Sequence, residues 1–162
     1  KSLETIDDAI AQTKEIAYNI SPSILKDFGI VVALKSYVNK FNDTKNININ
    51  FNSNLSRRIK LNTEASLFRI IIELINNTLK HASANNVLIE IILHKEKLMV
   101  HYSDDGIGFE LQPVLEKPQG QGMNNIINRT RSIGGEISIE TDLNQGFNLR
   151  IDLDIEQQEE KI

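Results

Sequence analysis

The segment from Asn62 to His81 constrains the fold more than any other stretch of this chain. Its apolar residues Phe68, Ile71, Ile72, Ile75 and Leu79 share one side of a helical wheel. Glu73, Asn77 and Lys80 gather on the other side, within roughly 60° of one another at about 100° per residue. A helix so strongly amphipathic must lay its apolar side on another layer. Leu61-Asn62-Thr63-Glu64 reads as its start, with Asn62 as N-cap and Leu61 as a hydrophobic staple. The pattern then predicts two strands, Val87–His94 and Leu98–Ser103, joined by a short charged turn. A loop with three Gly and two Pro follows, Asp104–Gln121. A helix from about Gly122 to Ile133 stops at Gly134-Gly135. Glu136–Thr141 and Phe147–Ile155 form a hairpin around Asn144-Gln145-Gly146. Upstream, Asn46–Phe51 alternates Asn and Ile, which predicts a half-buried edge strand. Another helix follows Gly29, with Val32, Leu34, Val38 and Phe41 among its apolar positions. These elements predict an α+β fold: a two-layer sandwich with a mixed sheet covered on one face by helices.

Composition removes several functions. With no Cys among 162 residues, a thiolate metal site, a Cys nucleophile and a disulfide framework are excluded. A net charge of -4 argues against nucleic acid as a partner. The longest apolar run, Ile30–Leu34, is far too short to cross a membrane. The first residue is Lys1 and Met occurs at 99 and 123, so the chain is expected to be part of a longer protein.

Leu3, Ile6, Ile10, Thr13, Ala17 and Ile20 follow a 3-4-3-4-3 spacing, the seam of a coiled coil. Spacing alone leaves two alternatives open: an amphipathic helix packed on its own domain, or half of a dimerising bundle. Pro22 breaks this helix, and the tail after Glu156 is polar and expected to fray.

Three short elements could carry chemistry. The Glu73/Asn77/Lys80 stripe, continued by His81, combines a base, an amide and a cation. Such a stripe is ordinarily a solvated face. Here it precedes a glycine-punctuated acidic loop, Asp104-Asp105-Gly106-Ile107-Gly108-Phe109, placed directly after a strand. Glycines let backbone approach a ligand closely. An Asp at a strand end can accept from an exocyclic amine, which selects adenine over guanine; the plain alternative is an acidic turn. Gly120-Gln121-Gly122-Met123 opens a helix whose free N–H groups suit phosphate, although the spacing is not that of a P-loop.

In this order, the three elements resemble the N, G1 and G2 boxes of sensor histidine kinases, whose ATP-binding domain belongs to the superfamily shared with gyrase, Hsp90 and MutL. The resemblance extends through Ile20-Ser-Pro22-Ser-Ile-Leu25-Lys-Asp-Phe-Gly29-Ile30-Val-Val-Ala33-Leu34, which is similar to the joint before the kinase core in the nitrate-sensor and fluidity-sensor subfamily. It implies a Bergerat ATP-binding fold over residues 23–156, a polar tail at 157–162, and a partial dimerisation helix over 1–22. It implies ATP and Mg²⁺ as cofactors, with Asn77 as metal ligand and Glu73 as the acid that orients or deprotonates the attacking group. Lys80 and His81 would face the phosphates, Asp104 would read adenine, Gly106 and Gly108 would shape its pocket, and Gly120, Gly122 and Met123 would meet the phosphates. The expected activity is transfer of the ATP γ-phosphoryl to a His on a helix upstream of Lys1, for relay to a response regulator receiver domain. The implied setting is a cytoplasmic domain of a homodimer, its parent anchored in the bacterial inner membrane through upstream segments.

The chain departs from that pattern in places. Asp105 replaces the usual Asn and adds charge near the nucleotide, and Met123 replaces Leu. Phe147-Asn148 stands where a Gly-Thr pair commonly begins the last strand, removing a hydroxyl that often supports the adenine-binding Asp. His81, His94 and His101 all lie within the ATP-binding domain, so none is the acceptor. The alternatives are a degenerate nucleotide-binding or dimerisation module, or another ATPase or Ser kinase of the superfamily.

Overall fold

The computed structural model describes residues 22–42, 47–116 and 121–155. The proposed bundle helix over 1–20 and the polar tail lie outside these described residues. Helix α1 spans Pro22–Asn42, strand β1 Asn48–Ser53, helix α2 Leu61–Asn77, and a single π-helical turn Thr78–Ala82 prolongs α2. Strands β2 (Asn86–His94) and β3 (Lys97–Asp104) follow. Then come the short helix α3 (Leu111–Glu116), helix α4 (Gln121–Ser132), and strands β4 (Glu136–Thr141) and β5 (Phe147–Asp154).

The five strands form one mixed sheet in the order β1-β2-β3-β5-β4. Only β1–β2 is parallel, as expected for strands joined through a helix. Alternation puts every second strand residue under the helices. Val87, Ile89 and Ile91 of β2, Leu98, Val100 and Tyr102 of β3, and Phe147, Leu149, Ile151 and Leu153 of β5 are buried. They meet Ile30, Leu34, Tyr37, Leu67, Ile70, Ile71, Leu74, Ile75 and Ile126 from the helical layer in one continuous core. Each such side chain contributes about 1.5–3 kcal/mol by leaving water. The expected two-layer α+β sandwich is therefore what the chain forms. No helix among the described residues is long and apolar enough to cross a membrane.

β1 is the edge strand that its alternation predicts, and its exposed edge is blunted. The Asn42 side-chain amide accepts from Ile49 N–H (2.9 Å) and donates to Ile49 C=O (3.0 Å), occupying both backbone groups of Ile49 on that edge.

The helix starts differ from expectation. α2 begins at Leu61, Lys60 precedes it without a side-chain cap, and Asn62 caps nothing. Leu61 is exposed, so no staple forms. Glu64 takes over that end: its buried carboxylate turns back toward Ile59 N–H (3.5 Å) and pairs with Arg58. α1 opens on Pro22, where a missing N–H costs nothing. Its helical geometry is interrupted at Gly29 (φ 81, ψ 175), a left-handed region that favours glycine. Arg58 donates to the carbonyls of Leu25 (3.2 Å) and Lys26 (3.0 Å), which lie in the last turn before that break. Beyond Gly29 the core takes Ile30, Ala33, Leu34, Tyr37, Val38 and Phe41. Val32, expected among the apolar positions, falls on the outer side and is 46% exposed.

Candidate functional site

The polar stripe of α2 ends at the π-helical turn, and the two together form one wall of the site. Glu73 and Asn77 are half-buried on α2. Neither side chain hydrogen-bonds another described residue. Both ends meet the start of α4: a Cβ added to Gly122 would lie 2.7 Å from Glu73 Oε1 and 3.6 Å from Asn77 Nδ2. The helix N-terminus, with its free N–H groups, therefore sits against the carboxylate and amide of the α2 stripe. Lys80 and His81 lie on the π-helical turn, exposed and likewise without a hydrogen bond among the described residues. Met123 sends its side chain into the hydrophobic core. Gly120 lies outside the described residues.

The second wall is the end of β3. Asp104 Oδ1 accepts from Gly106 N–H (2.9 Å), an Asx-type turn that holds the carboxyl at the strand end. Asp104 Oδ2 accepts from the Thr78 hydroxyl (2.7 Å), and Thr78 Oγ1 lies 2.7 Å from the Tyr102 hydroxyl. Burial, with the Asp104 charge adding to it, pushes the Tyr102 phenol far above its usual range, while the Thr78 bond acts the other way. The loop after Asp104 is pinned at Ile107, through both of its backbone groups. Ile107 N–H donates to Ala82 C=O (2.8 Å), and Asn144 N–H donates to Ile107 C=O (2.6 Å). Gly106 lies against Ala82, and Gly108 lies against the β4–β5 turn at Asp142 and Gly146.

Two departures seen in the sequence acquire a physical account. Asp105 points away from Asp104: its Oδ1 accepts from the N–H groups of Asn85 (2.8 Å) and Asn86 (2.9 Å), and its Oδ2 from the Asn86 amide (2.8 Å). Those bonds, Asn86 foremost, lower its pKa below the ordinary carboxylate value. The extra charge therefore ties the start of β2 rather than lining the site. Phe147 pairs in register with Asp104 and is buried, stacking on Phe109 (5.8 Å, 17°) and meeting Tyr102 edge-on (6.2 Å). The hydroxyl missing from β5 is replaced by that of Thr78, from the opposite layer.

Thr78, Tyr102 and Phe109 were not among the expected site residues. Two signals were available: Thr78 directly follows Asn77, and Tyr102 precedes Asp104 by two, placing both on one face of a strand. Among the described residues no cluster of three or more His, Cys, Asp or Glu could hold a metal ion. The oxygens present on the α2 wall are Asn77 Oδ1 and the Glu73 carboxylate, and oxygen donors in that small number suit Mg²⁺, which takes its other ligands from phosphate and water.

Comparison with known proteins gives a consistent result. The family described as Histidine kinase-, DNA gyrase B-, and HSP90-like ATPase matches residues 62–157. The chain is similar to the sensor histidine kinase ComP of Bacillus subtilis (strain 168), 32% identical over 94% of this chain and 20% of that protein. It is 30% identical to the signal transduction histidine-protein kinase/phosphatase DegS of Brevibacillus brevis, over 95% of this chain and 40% of the relative. The chain thus spans less than half the length of these relatives. The Acinetobacter baumannii histidine kinase AdeS shares the fold, with a TM-score of 0.64 and 12% identity over 94% of this chain and 82% of that structure.

Proposed function

The chain belongs to the family of histidine kinase-, DNA gyrase B-, and HSP90-like ATPases, as the ATP-binding part of a sensor histidine kinase, and from that premise we propose how its residues serve phosphoryl transfer. The observation that carries the proposal is the pairing of two walls. One wall presents Glu73 and Asn77 to a helix N-terminus. The other holds Asp104 at a strand end between two donors.

Asp104 accepts the exocyclic amine of adenine through lone pairs left over from Gly106 and Thr78. The N-terminal N–H groups of α4 and the Lys80 ammonium receive the phosphate oxygens, and His81 lies beside them. Asn77 would hold Mg²⁺ through its amide oxygen, and the ion would supply positive charge beside the phosphates. Glu73 orients the attacking imidazole and holds its proton. That imidazole belongs to another segment. His101 is engaged on the sheet by Glu90 (3.3 Å) and Asn148 (2.8 Å), and His94 sits at the far end of β2. The acceptor is a His on a helix preceding this chain, from which the phosphoryl passes to a response regulator receiver domain. Residues 1–22 belong to the dimerising bundle and 23–156 form the ATP-binding domain. The whole works on the cytoplasmic side of a parent protein anchored in the bacterial inner membrane by other segments.

The test joins this chain to the preceding helical segment of its parent protein and supplies ATP labelled at the γ-phosphate. Acid-labile, base-stable label on a His of the added segment is expected. Its absence in a folded protein that binds ATP overturns the kinase and leaves a nucleotide-binding module.

A second prediction concerns Gly122. Gly122→Ala places a methyl against Glu73 Oε1, the mobile end of a side chain, so the fold yields by moving the carboxylate. Transfer is expected to slow by roughly 100-fold, with the thermal midpoint near that of the parent. A rate equal to the parent's would show that Glu73 does not act from this position.

A further inference from the structure

We propose that Tyr102 and Thr78 form a one-way hydrogen-bond relay that orients Asp104 toward an exocyclic amine, so that this chain's choice of an amino-purine depends on the Thr78 hydroxyl. The inference rests on the nucleotide reading above and adds the residues that set its specificity.

The direction of the relay follows from what each group can do. A carboxylate oxygen only accepts, so across the 2.7 Å contact Thr78 donates to Asp104 Oδ2. Its single proton is then spent, and across the other 2.7 Å contact its oxygen must accept from Tyr102. A fully buried phenol whose pKa is raised by burial keeps its proton and donates it. The relay therefore runs Tyr102 to Thr78 to Asp104. Gly106 N–H holds the other carboxylate oxygen. The carboxyl is tethered from two layers, by the loop of its own strand and by the π-helical turn of α2.

The geometry of that turn makes the arrangement possible. π-helical turns widen a helix and recur at functional sites. Thr78 is its first residue, 4% exposed, directly after Asn77. The turn thus links the proposed metal ligand to the base-reading carboxylate through adjacent residues. The strand opposite offers no substitute donor. Phe147, in register with Asp104, packs on Phe109 and Tyr102, and Asn148 is turned to His101. Among the described side chains only Thr78 hydrogen-bonds the Asp104 carboxylate.

The test is calorimetry with Mg-ATP and with purine riboside triphosphate, which lacks the 6-amino group. The folded parent chain should prefer ATP. Thr78→Val, nearly isosteric, should weaken ATP binding by roughly tenfold and leave the other nucleotide almost unchanged, so the preference collapses. Thr78→Ser should restore the preference, because only the hydroxyl matters. Tyr102→Phe keeps the ring and removes the proton, and should reduce the preference about threefold. It reads the same relay should Thr78→Val fail to fold. An unchanged preference in Thr78→Val, or an equal loss for both nucleotides, overturns the relay and leaves Thr78 a packing residue. If the parent chain binds neither nucleotide, the nucleotide reading falls and takes the relay with it.

Discussion

Asp104→Asn is expected to lose Mg-ATP affinity by roughly 100-fold while the domain stays folded. The amide keeps one oxygen for Gly106 N–H, so the turn after β3 survives. Its NH₂ group replaces Oδ2 and faces Thr78, whose oxygen can accept it because threonine rotates its proton elsewhere. The exocyclic amine of adenine then meets a donor where it needs an acceptor. A buried donor left unpaired loses its full desolvation cost, which exceeds the net value of the bond. The measurement is calorimetry beside a thermal melt. A variant that binds ATP as the parent does would place adenine somewhere other than against Asp104.

Arg58→Ala is expected to destabilise the domain by about 3 kcal/mol, near the lower end for a broken buried pair because the guanidinium edge is solvent-exposed. Glu64 is 1% exposed. Arg58 meets it side-on, with Nε 2.9 Å from Oε1 and a terminal nitrogen 2.6 Å from Oε2. Without the guanidinium, the carboxylate is left in the core and the carbonyls of Leu25 and Lys26 lose their donor. For a domain of this size the melting midpoint should fall by roughly 10 °C. Glu64→Gln in the same chain should recover part of the loss, since a neutral amide costs less to bury. A melt unchanged by Arg58→Ala would mean that water reaches Glu64 as readily as the arginine does. The pair also joins α1 at its Gly29 break to the head of α2, so its loss should be felt first at that junction.

Much of this fold was legible because its signals are local. The strands announce themselves by two-residue alternation, as in Phe147–Asp154, where every second residue is buried. α4 ends where Gly134 stands, and the edge position of β1 follows from its uncharged Asn face. Of the candidate site, what lies on a single element was legible: Glu73 and Asn77 share a face because they are four residues apart. What failed was finer. Asn62 has the chemistry of a cap, yet Glu64 with Arg58 closes that helix end, because a buried ion pair reaches back over the first turn. Asp105 looked like added charge at the site, but the start of β2 offers it three donors in the other direction.

The sequence by itself determined the order of elements, the amphipathic helix, the glycine positions and the family. The elements depend on spacing within single segments, where period and backbone freedom decide, and the family on the order of three short motifs along the chain. The tertiary structure alone decided which distant groups meet. Thr78 finds Tyr102 at a separation of 24 residues and Asp104 at 26. Glu73 finds Gly122, and Arg58 finds Leu25 and Lys26. Such meetings are set by strand register and by the seating of helices on the sheet. A hydrogen bond tolerates only a few tenths of an ångström, so its partners follow from how the layers pack and from no pattern within either segment.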